Sequence, residues 1–287
     1  MSQSAQIRAL DLLYHFSARP GARVAIGSPA VCPEAPADVL ADMDAAGIER
    51  IFVSQCKKWS CERQWACADT RLEDVLRYVS ASPRFVGLAG YNPYDIAESL
   101  REIEFAISRH GFRGIYLYPE NYRLPLTGER MYPLFAKAAE LGVPALVEFT
   151  AEMPLDGMTA ALSRIADDLP ELALAVAHPR PKPATLSQLA GCENIFFVLD
   201  SGVVEWMVAR KEDREFLASD VFCTRAMWGS NGQNWTYARA GWERLEISPA
   251  AATGWLRDNA ARVFRLAQPA ALRTPSSVVD DPMNAER

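Results

Sequence analysis

Short runs of hydrophobic, β-branched and aromatic residues alternate along this chain with segments whose apolar positions recur every three to four residues. That alternation is the mark of repeated strand–helix units around a parallel sheet. Eight runs read as strands, at 10–16, 50–54, 84–89, 114–118, 144–149, 172–178, 195–200 and 225–229. Several are almost continuously apolar, such as Ala145-Leu146-Val147 and Ile195-Phe196-Phe197-Val198-Leu199, as strands covered on both faces are. Between them, Asp95 precedes Ile96, Leu100, Ile103 and Ile107 on one helical face, with Glu98 placed as in a capping box and Gly111 where a left-handed helix end falls. Met131, Leu134, Ala138 and Leu141 form a second stripe that stops at Gly142, and Ser248-Pro249 opens a last helix running to about Leu266. Asp200 reads as the cap of the helix after the seventh strand. The arrangement predicts one α/β domain, a (β/α)8 TIM barrel over residues 1–267. Residues 268–287, with three prolines and no periodicity, read as a flexible tail.

Composition narrows the setting. The 287 residues are 49% hydrophobic, which supports a sizeable core and excludes a disordered chain. The net charge of −6 argues against a nucleic-acid partner. No apolar run approaches the roughly 20 residues of a membrane helix, and the polar start, Met1 to Ala9, lacks a signal-peptide core. Six cysteines are too few for a disulfide scaffold in a chain of this length. The expectation is a cytoplasmic protein with free thiols, no membrane or nucleic-acid partner, and a homo-oligomeric state left open.

A TIM barrel carries its chemistry at the C-terminal ends of its strands. Read in order, those ends hold Leu13 and His15, Cys56 with Lys57 and Lys58, Tyr91 with Asn92, Tyr118 with Glu120, and Glu148. His178 with Arg180, Asp200 with Ser201, and Asn231 with Gln233 and Asn234 complete the set. Two of the three histidines, His15 and His178, therefore fall at strand ends, while His110 sits in the last turn of a helix and complements its dipole.

The chain resembles the amidohydrolase-related proteins, the "amidohydrolase 2" branch of the metal-dependent hydrolase barrels. The resemblance is carried, in order, by Met43-Asp44-Ala45-Ala46-Gly47-Ile48, Arg84-Phe85-Val86-Gly87-Leu88-Ala89, Gly111-Phe112-Arg113-Gly114-Ile115 and Tyr132-Pro133-Leu134-Phe135. It continues through Leu141-Gly142-Val143-Pro144-Ala145-Leu146-Val147, Ala177-His178, Trp228-Gly229-Ser230 and Asn259-Ala260-Ala261-Arg262. The family's metal site is altered. Its Asp-x-His-x-His start reads Asp11-Leu12-Leu13-Tyr14-His15, so Leu13 replaces the first histidine. Glu148 occupies the strand-five histidine position, His178 is retained, and Asn231 matches the strand-eight aspartate.

Leucine ligates nothing, glutamate is an acceptable ligand for Zn²⁺ or Mn²⁺, and asparagine offers only a neutral carbonyl oxygen. Asn231 has no proton-accepting group near neutrality and is no general base. His15, Glu148 and His178 form a ligand set for one divalent ion, Zn²⁺ or Mn²⁺; the other expectation is a metal-free site in which the histidines are hydrogen-bonded remnants. In either case His178 and Glu148 are the proton-handling candidates, with Asn231 beside them. Lys57, Tyr118 and Arg180 are candidates to hold an anionic substrate, and Lys58, Arg63 and Lys182 read as solvated loop charge or as further cations. Trp59, Trp65, Tyr91, Tyr118, Tyr122, Trp228 and Trp235 supply either a flat apolar pocket or core, and for Trp228 and Tyr116, which alternate along strands, core is at least as good a reading. Cys56, Cys61 and Cys67 match no metal motif, and Cys56 beside Lys57 is either an inert thiol or an activated one.

The resemblance implies an enzyme acting on a small, carboxylated, cyclic molecule. Hydrolysis of a lactone or amide-type bond is the first expectation. A carbon–carbon lyase that decarboxylates an aromatic or unsaturated acid is the alternative. A non-catalytic small-molecule-binding barrel is the third reading.

Overall fold

The computed structural model describes residues 7–14, 35–57, 70–149, 155–177, 183–210, 213–231, 234–244 and 247–266. The eight strands are β1 (Ala9–Tyr14), β2 (Ile48–Ser54), β3 (Phe85–Gly90), β4 (Gly114–Leu117), β5 (Ala145–Glu148), β6 (Leu174–Ala177), β7 (Ile195–Leu199) and β8 (Ala226–Trp228). They pair in parallel, each with its sequence neighbour, in the order β1 to β8. Between them run α1 (Pro36–Ala46), α2 (Leu72–Ala81), α3 (Ile96–His110), α4 (Tyr132–Glu140), α5 (Leu155–Asp168), α6 (Pro183–Ala190) and α7 (Ser201–Val208). Two short helices, α8 (Arg214–Leu217) and α9 (Asp220–Arg225), precede β8, and α10 (Trp235–Arg244) follows it. This is the single-domain (β/α)8 barrel that the hydrophobic pattern predicts. The residues read as a tail, 268–287, lie outside the described residues.

The continuous apolar strands have a direct cause. Leu10, Phe52, Val86, Leu88, Tyr116, Leu146, Ala175, Val198 and Met227 fill the inside of the barrel. Their strand neighbours Ile51, Val53, Ile115, Leu117, Val147, Leu174, Phe197 and Leu199 meet the helices outside. Successive side chains point to opposite faces, and here both faces are buried.

Caps follow the sequence in most places. Gly47, Gly111 and Gly142 stand at positive φ (71°, 67° and 61°) beyond α1, α3 and α4. The Asp200 carboxylate accepts from Val203 N at 2.8 Å and caps α7. Ser248 Oγ does the same for Ala251 N at 3.2 Å. Asp95 departs from expectation: its φ of −135° and ψ of 67° give no side-chain cap bond. Its neighbour Asn92 organises that turn instead, accepting from Tyr94 N at 3.0 Å while Ser99 Oγ accepts from Asn92 N at 3.0 Å. The last helix is also not one uninterrupted piece. It comprises α11 (Pro249–Thr253), a wide π turn (Gly254–Asp258) and α12 (Asn259–Val263). Beyond α12, Phe264 enters the inner cluster and meets Phe52 edge-on at 4.6 Å, plugging the barrel from below.

The seam between β8 and β1 is built differently from the other seven contacts. Among the described residues no strand ladder joins them. The Asp11 side chain, fully buried, bridges the gap. Its Oδ1 accepts from Ser230 N at 2.7 Å and Leu13 N at 3.1 Å, and its Oδ2 from Trp235 Nε1 at 2.7 Å. Burial raises the Asp11 carboxyl above its ordinary range, opposed by the bonds from Ser230, Trp235 and Leu13.

Replacing Asp11 with Ala leaves three buried N–H groups without their acceptor, so denaturant unfolding should show a loss of about 3 kcal/mol or more. Linkage fixes the sign of the pH effect. A carboxyl raised in the folded state stabilises most below its unfolded value, and that contribution fades as pH rises through the folded one. The stability difference between the natural chain and Asp11→Asn should therefore widen in favour of the natural chain as pH falls from neutral towards about 4. A pH-independent difference would contradict this.

Candidate active site

A shallow hollow opens among Leu13, Glu148, Phe149, Ala177, Val198, Asp200 and Asn231. These residues stand at or just beyond the C-terminal ends of β1, β5, β6, β7 and β8. Small side chains at its edge, Ala177 and the neighbouring Gly229, leave the space that larger inward residues fill lower in the barrel.

Glu148 ends β5 and is 7% exposed. Its Oε2 accepts from the Tyr116 hydroxyl at 2.7 Å, a buried bond between neighbouring strands. A phenol donating to a carboxylate makes a short, charge-assisted hydrogen bond that fixes the orientation of the acid. Asp200 uses Oδ1 to cap α7, and its Oδ2 accepts from Asn231 Nδ2 at 3.4 Å. Asn231 holds a positive φ of 52°, a backbone region that asparagine tolerates better than most residues. Among the described residues, two carboxyl groups and one carboxamide face the hollow beside apolar side chains.

Leu13 reaches the hollow through an irregular stretch of β1. The pairing with β2 shifts register between Asp11 and Tyr14, and both Leu12 and Leu13 enter the inner cluster. Tyr14 turns outward and stacks on Trp235 at 5.3 Å. Leu13 packs where Gly229 has no side chain: a Cβ there would lie 2.6 Å from Leu13 Cγ and 2.8 Å from its Cβ.

Among the sequence candidates, the structure brings Glu148 and Asn231 together on the hollow. His15, His178 and Arg180 lie outside the described residues, as do Lys58, Trp59, Cys61, Arg63, Trp65, Cys67, Lys182 and Gln233. Lys57 pairs its ammonium with Glu102 of α3, whose other oxygen accepts from Gln55 at 2.7 Å. Its carbonyl accepts from Asn121 Nδ2 at 3.1 Å and from the Tyr122 hydroxyl. Tyr118 faces the barrel interior and donates to Glu120 at 3.1 Å, outside the lining of the hollow. His110 ends α3 with its ring 4.9 Å from Phe105. Cys56 is buried in the inner cluster, its sulfur accepting from Asn121 Nδ2 at 3.6 Å.

The aromatic candidates in the described chain serve mainly as frame. Trp228 packs edge-on to Trp242 at 4.6 Å, and both indoles donate to Ser201 Oγ. Tyr91 donates to Arg130 O at 2.6 Å, and burial pushes its phenol up to about 12, so it stays protonated. The apolar wall of the hollow comes from Leu13, Phe149 and Val198 instead. The sequence left Tyr116 between pocket and core and read Asp200 as a cap; the structure gives Tyr116 the bond to Glu148 and turns Asp200 Oδ2 to Asn231. Strand parity held the signal for the first: Tyr116 pairs in register with Leu146, so it shares the inward face with Glu148 two residues on.

Two of the three candidate metal ligands, His15 and His178, lie outside the described residues. Among the described residues no group of three or more His, Cys, Asp and Glu side chains is placed to hold a metal ion. Leu13 supplies hydrocarbon at the expected ligand position, and Asn231 directs its amide nitrogen towards Asp200.

A (β/α)8 barrel with acidic groups in a hollow at the C-terminal mouth belongs to a class that hosts many chemistries. The family is narrower: this chain belongs to the amidohydrolase family, whose model matches residues 30–266. β1, with Asp11 and Leu13, lies before that match. Comparison with curated proteins by sequence gives no match. Among solved structures, the chain resembles 5-carboxyvanillate decarboxylase from Novosphingobium aromaticivorans with bound manganese, at 20% identity, 80% coverage of each chain and a TM-score of 0.60. It also resembles a dihydroxybenzoic acid decarboxylase from Polaromonas with bound manganese, at 15% identity, 90% and 97% coverage and a TM-score of 0.61. An uncharacterised TIM-barrel protein from Bordetella bronchiseptica gives a TM-score of 0.66 at 16% identity, over 90% of this chain and 99% of that one. At these identities the likeness establishes a shared fold.

The Leu13–Gly229 contact is testable by a double-mutant cycle. Gly229→Ala should destabilise by about 1–3 kcal/mol through overpacking. In a Leu13→Gly background the same change should cost much less, because the Leu13 Cβ and Cγ that crowd the added methyl are then gone. Equal costs in the two backgrounds, measured by urea unfolding, would show that the two positions do not press on each other.

Proposed function

We propose that this protein is a lyase that releases CO2 from a small aromatic or unsaturated carboxylic acid at the barrel mouth. The observation that carries this reading is the Tyr116–Glu148 pair on the rim of a hollow walled by Leu13, Phe149 and Val198. A flat ring packs against such a wall, and a carboxyl group beside it is placed to hand a proton to a ring carbon. The decarboxylases of ring acids among the similar folds support the same choice.

In the proposed step the bond between the ring carbon and the carboxylate carbon breaks and CO2 departs. The electron pair stays on the ring carbon, which takes the proton of Glu148. The glutamate left negative is stabilised by the Tyr116 hydroxyl, a bond that strengthens as charge develops on its acceptor. Water then returns the proton to Glu148, so the net change is RCOO⁻ + H⁺ → RH + CO2. Hydrolysis, the first expectation from sequence, draws less support. At the family's aspartate position stands Asn231, whose carboxamide takes no proton from water, which leaves that task to Glu148 or Asp200.

Headspace CO2 measured over a panel of single-ring and α,β-unsaturated acids tests this, beside acid release from lactones and amides. CO2 should appear from at least one ring acid. Glu148→Gln should lower kcat by about 10²–10⁴-fold, the usual worth of a general acid, and Tyr116→Phe by less. Turnover of lactones alone would restore the hydrolase reading. Tight ligand binding without turnover would favour a binding protein.

A further inference from the structure

We propose that Ser201 is a positioning residue of this mouth: its buried hydroxyl ties the start of α7 to β8 and α10, and so holds Asp200 and Asn231 together as one polar unit on the hollow. For what that unit does to a substrate this rests on the decarboxylase reading; for the anchoring it rests on the hydrogen bonds alone. Ser201 is the first residue of α7, directly after Asp200, and is 3% exposed. A serine oxygen has two acceptor lone pairs. Two indoles take them, Trp228 Nε1 of β8 at 3.2 Å and Trp242 Nε1 of α10 at 2.9 Å.

The packing brings the three side chains to one point. Trp228 and Trp242 stand edge-on at 4.6 Å, so their N–H groups converge on a single atom. Gly241 lets α10 come close to α7: a Cβ there would lie 3.4 Å from Ser201 Cβ and 3.2 Å from Glu205 Oε1. Both indoles are buried, and a buried N–H needs an acceptor inside the protein. Ser201 Oγ is the acceptor both use.

The consequence falls on Asn231. It lies three residues beyond Trp228 in the left-handed region, with φ of 52°. A non-glycine residue persists there only where its surroundings over-determine it. Here the approach is pinned twice, by Trp228 on Ser201 and by Ser230 N on Asp11 Oδ1 at 2.7 Å. On the other side of the same anchor, Asp200 is fixed by its bond from Val203 N at 2.8 Å. The two sides meet where Asn231 Nδ2 donates to Asp200 Oδ2 at 3.4 Å, and both residues line the hollow with Glu148. Ser201 therefore acts through its neighbours: Asp200 and Asn231 orient a ring acid whose breaking bond lies at Glu148, and Ser201 keeps them in place.

The test follows Asn231 itself. The full-length chain, labelled at its asparagines with the heavy nitrogen isotope, gives side-chain amide signals by NMR, and Asn231→Ser identifies the pair that belongs to this residue. Ser201→Ala should move that pair. Val204→Ala, a cavity-forming change at a fully buried position of the same helix that leaves Ser201 alone, should not. If Ser201→Ala does not fold, Trp242→Phe, which removes one of the two donors, takes its place and should move the pair as well. An unmoved Asn231 amide, or an equal displacement in Val204→Ala, would overturn the proposal. On any acid that releases CO2, Ser201→Ala should lower kcat/KM by about 10–100-fold beyond the effect of Val204→Ala; equal losses in the two would also overturn it. The amide signal involves no substrate. A failed CO2 panel therefore counts against the decarboxylase reading and leaves the anchoring standing, while an unmoved amide sinks the anchoring even if CO2 is released.

Discussion

Eight parallel strands form a barrel only if the last meets the first, and in this protein a buried carboxylate is central to that join. Asp11 collects N–H bonds from Ser230, Leu13 and Trp235, drawing β1, the segment beyond β8 and α10 to one point. A carboxylate taken wholly out of water is unfavourable unless its lone pairs are met by donors. Three donors meet them, from parts of the chain more than 200 residues apart. The same bonds set the course of the backbone at Leu13 and ahead of Asn231, so the seam that closes the barrel also shapes its mouth.

Burial on both faces of the sheet explains the rest of the frame. Inward side chains fill the barrel, outward ones receive the helices, and Phe264 stops the lower end. Close packing of this kind leaves a space only where residues are small. Ala177 and Gly229 supply that room at the upper rim, and Leu13 takes up part of it. The hollow is consequently one-sided, with hydrocarbon from Leu13, Phe149 and Val198 and polarity from Glu148, Asp200 and Asn231.

Charge is distributed with the same economy. Among the described residues no lysine or arginine lines the hollow. Lys57 is turned to Glu102, and Arg225 holds backbone carbonyls of Ala190 and Cys192. With two carboxyl groups on one small surface, an anionic ligand is accepted best when one of them carries its proton. Tyr116 gives Glu148 a neutral donor to share the charge with when it ionises.

The number of strands, the barrel, the helix ends at Gly111 and Gly142 and the cap at Asp200 were legible in the sequence. So was the meeting of Glu148 and Asn231 at one rim. Each depends on local pattern or on the rule that strand ends gather at one rim. The join made by Asp11, the contact of Leu13 with Gly229, the Tyr116–Glu148 bond and the diversion of Lys57 to Glu102 were decided only by the tertiary structure. Periodicity tells which face of a strand a side chain occupies. Which distant atom lies 2.7 Å from it depends on the closing of the whole barrel.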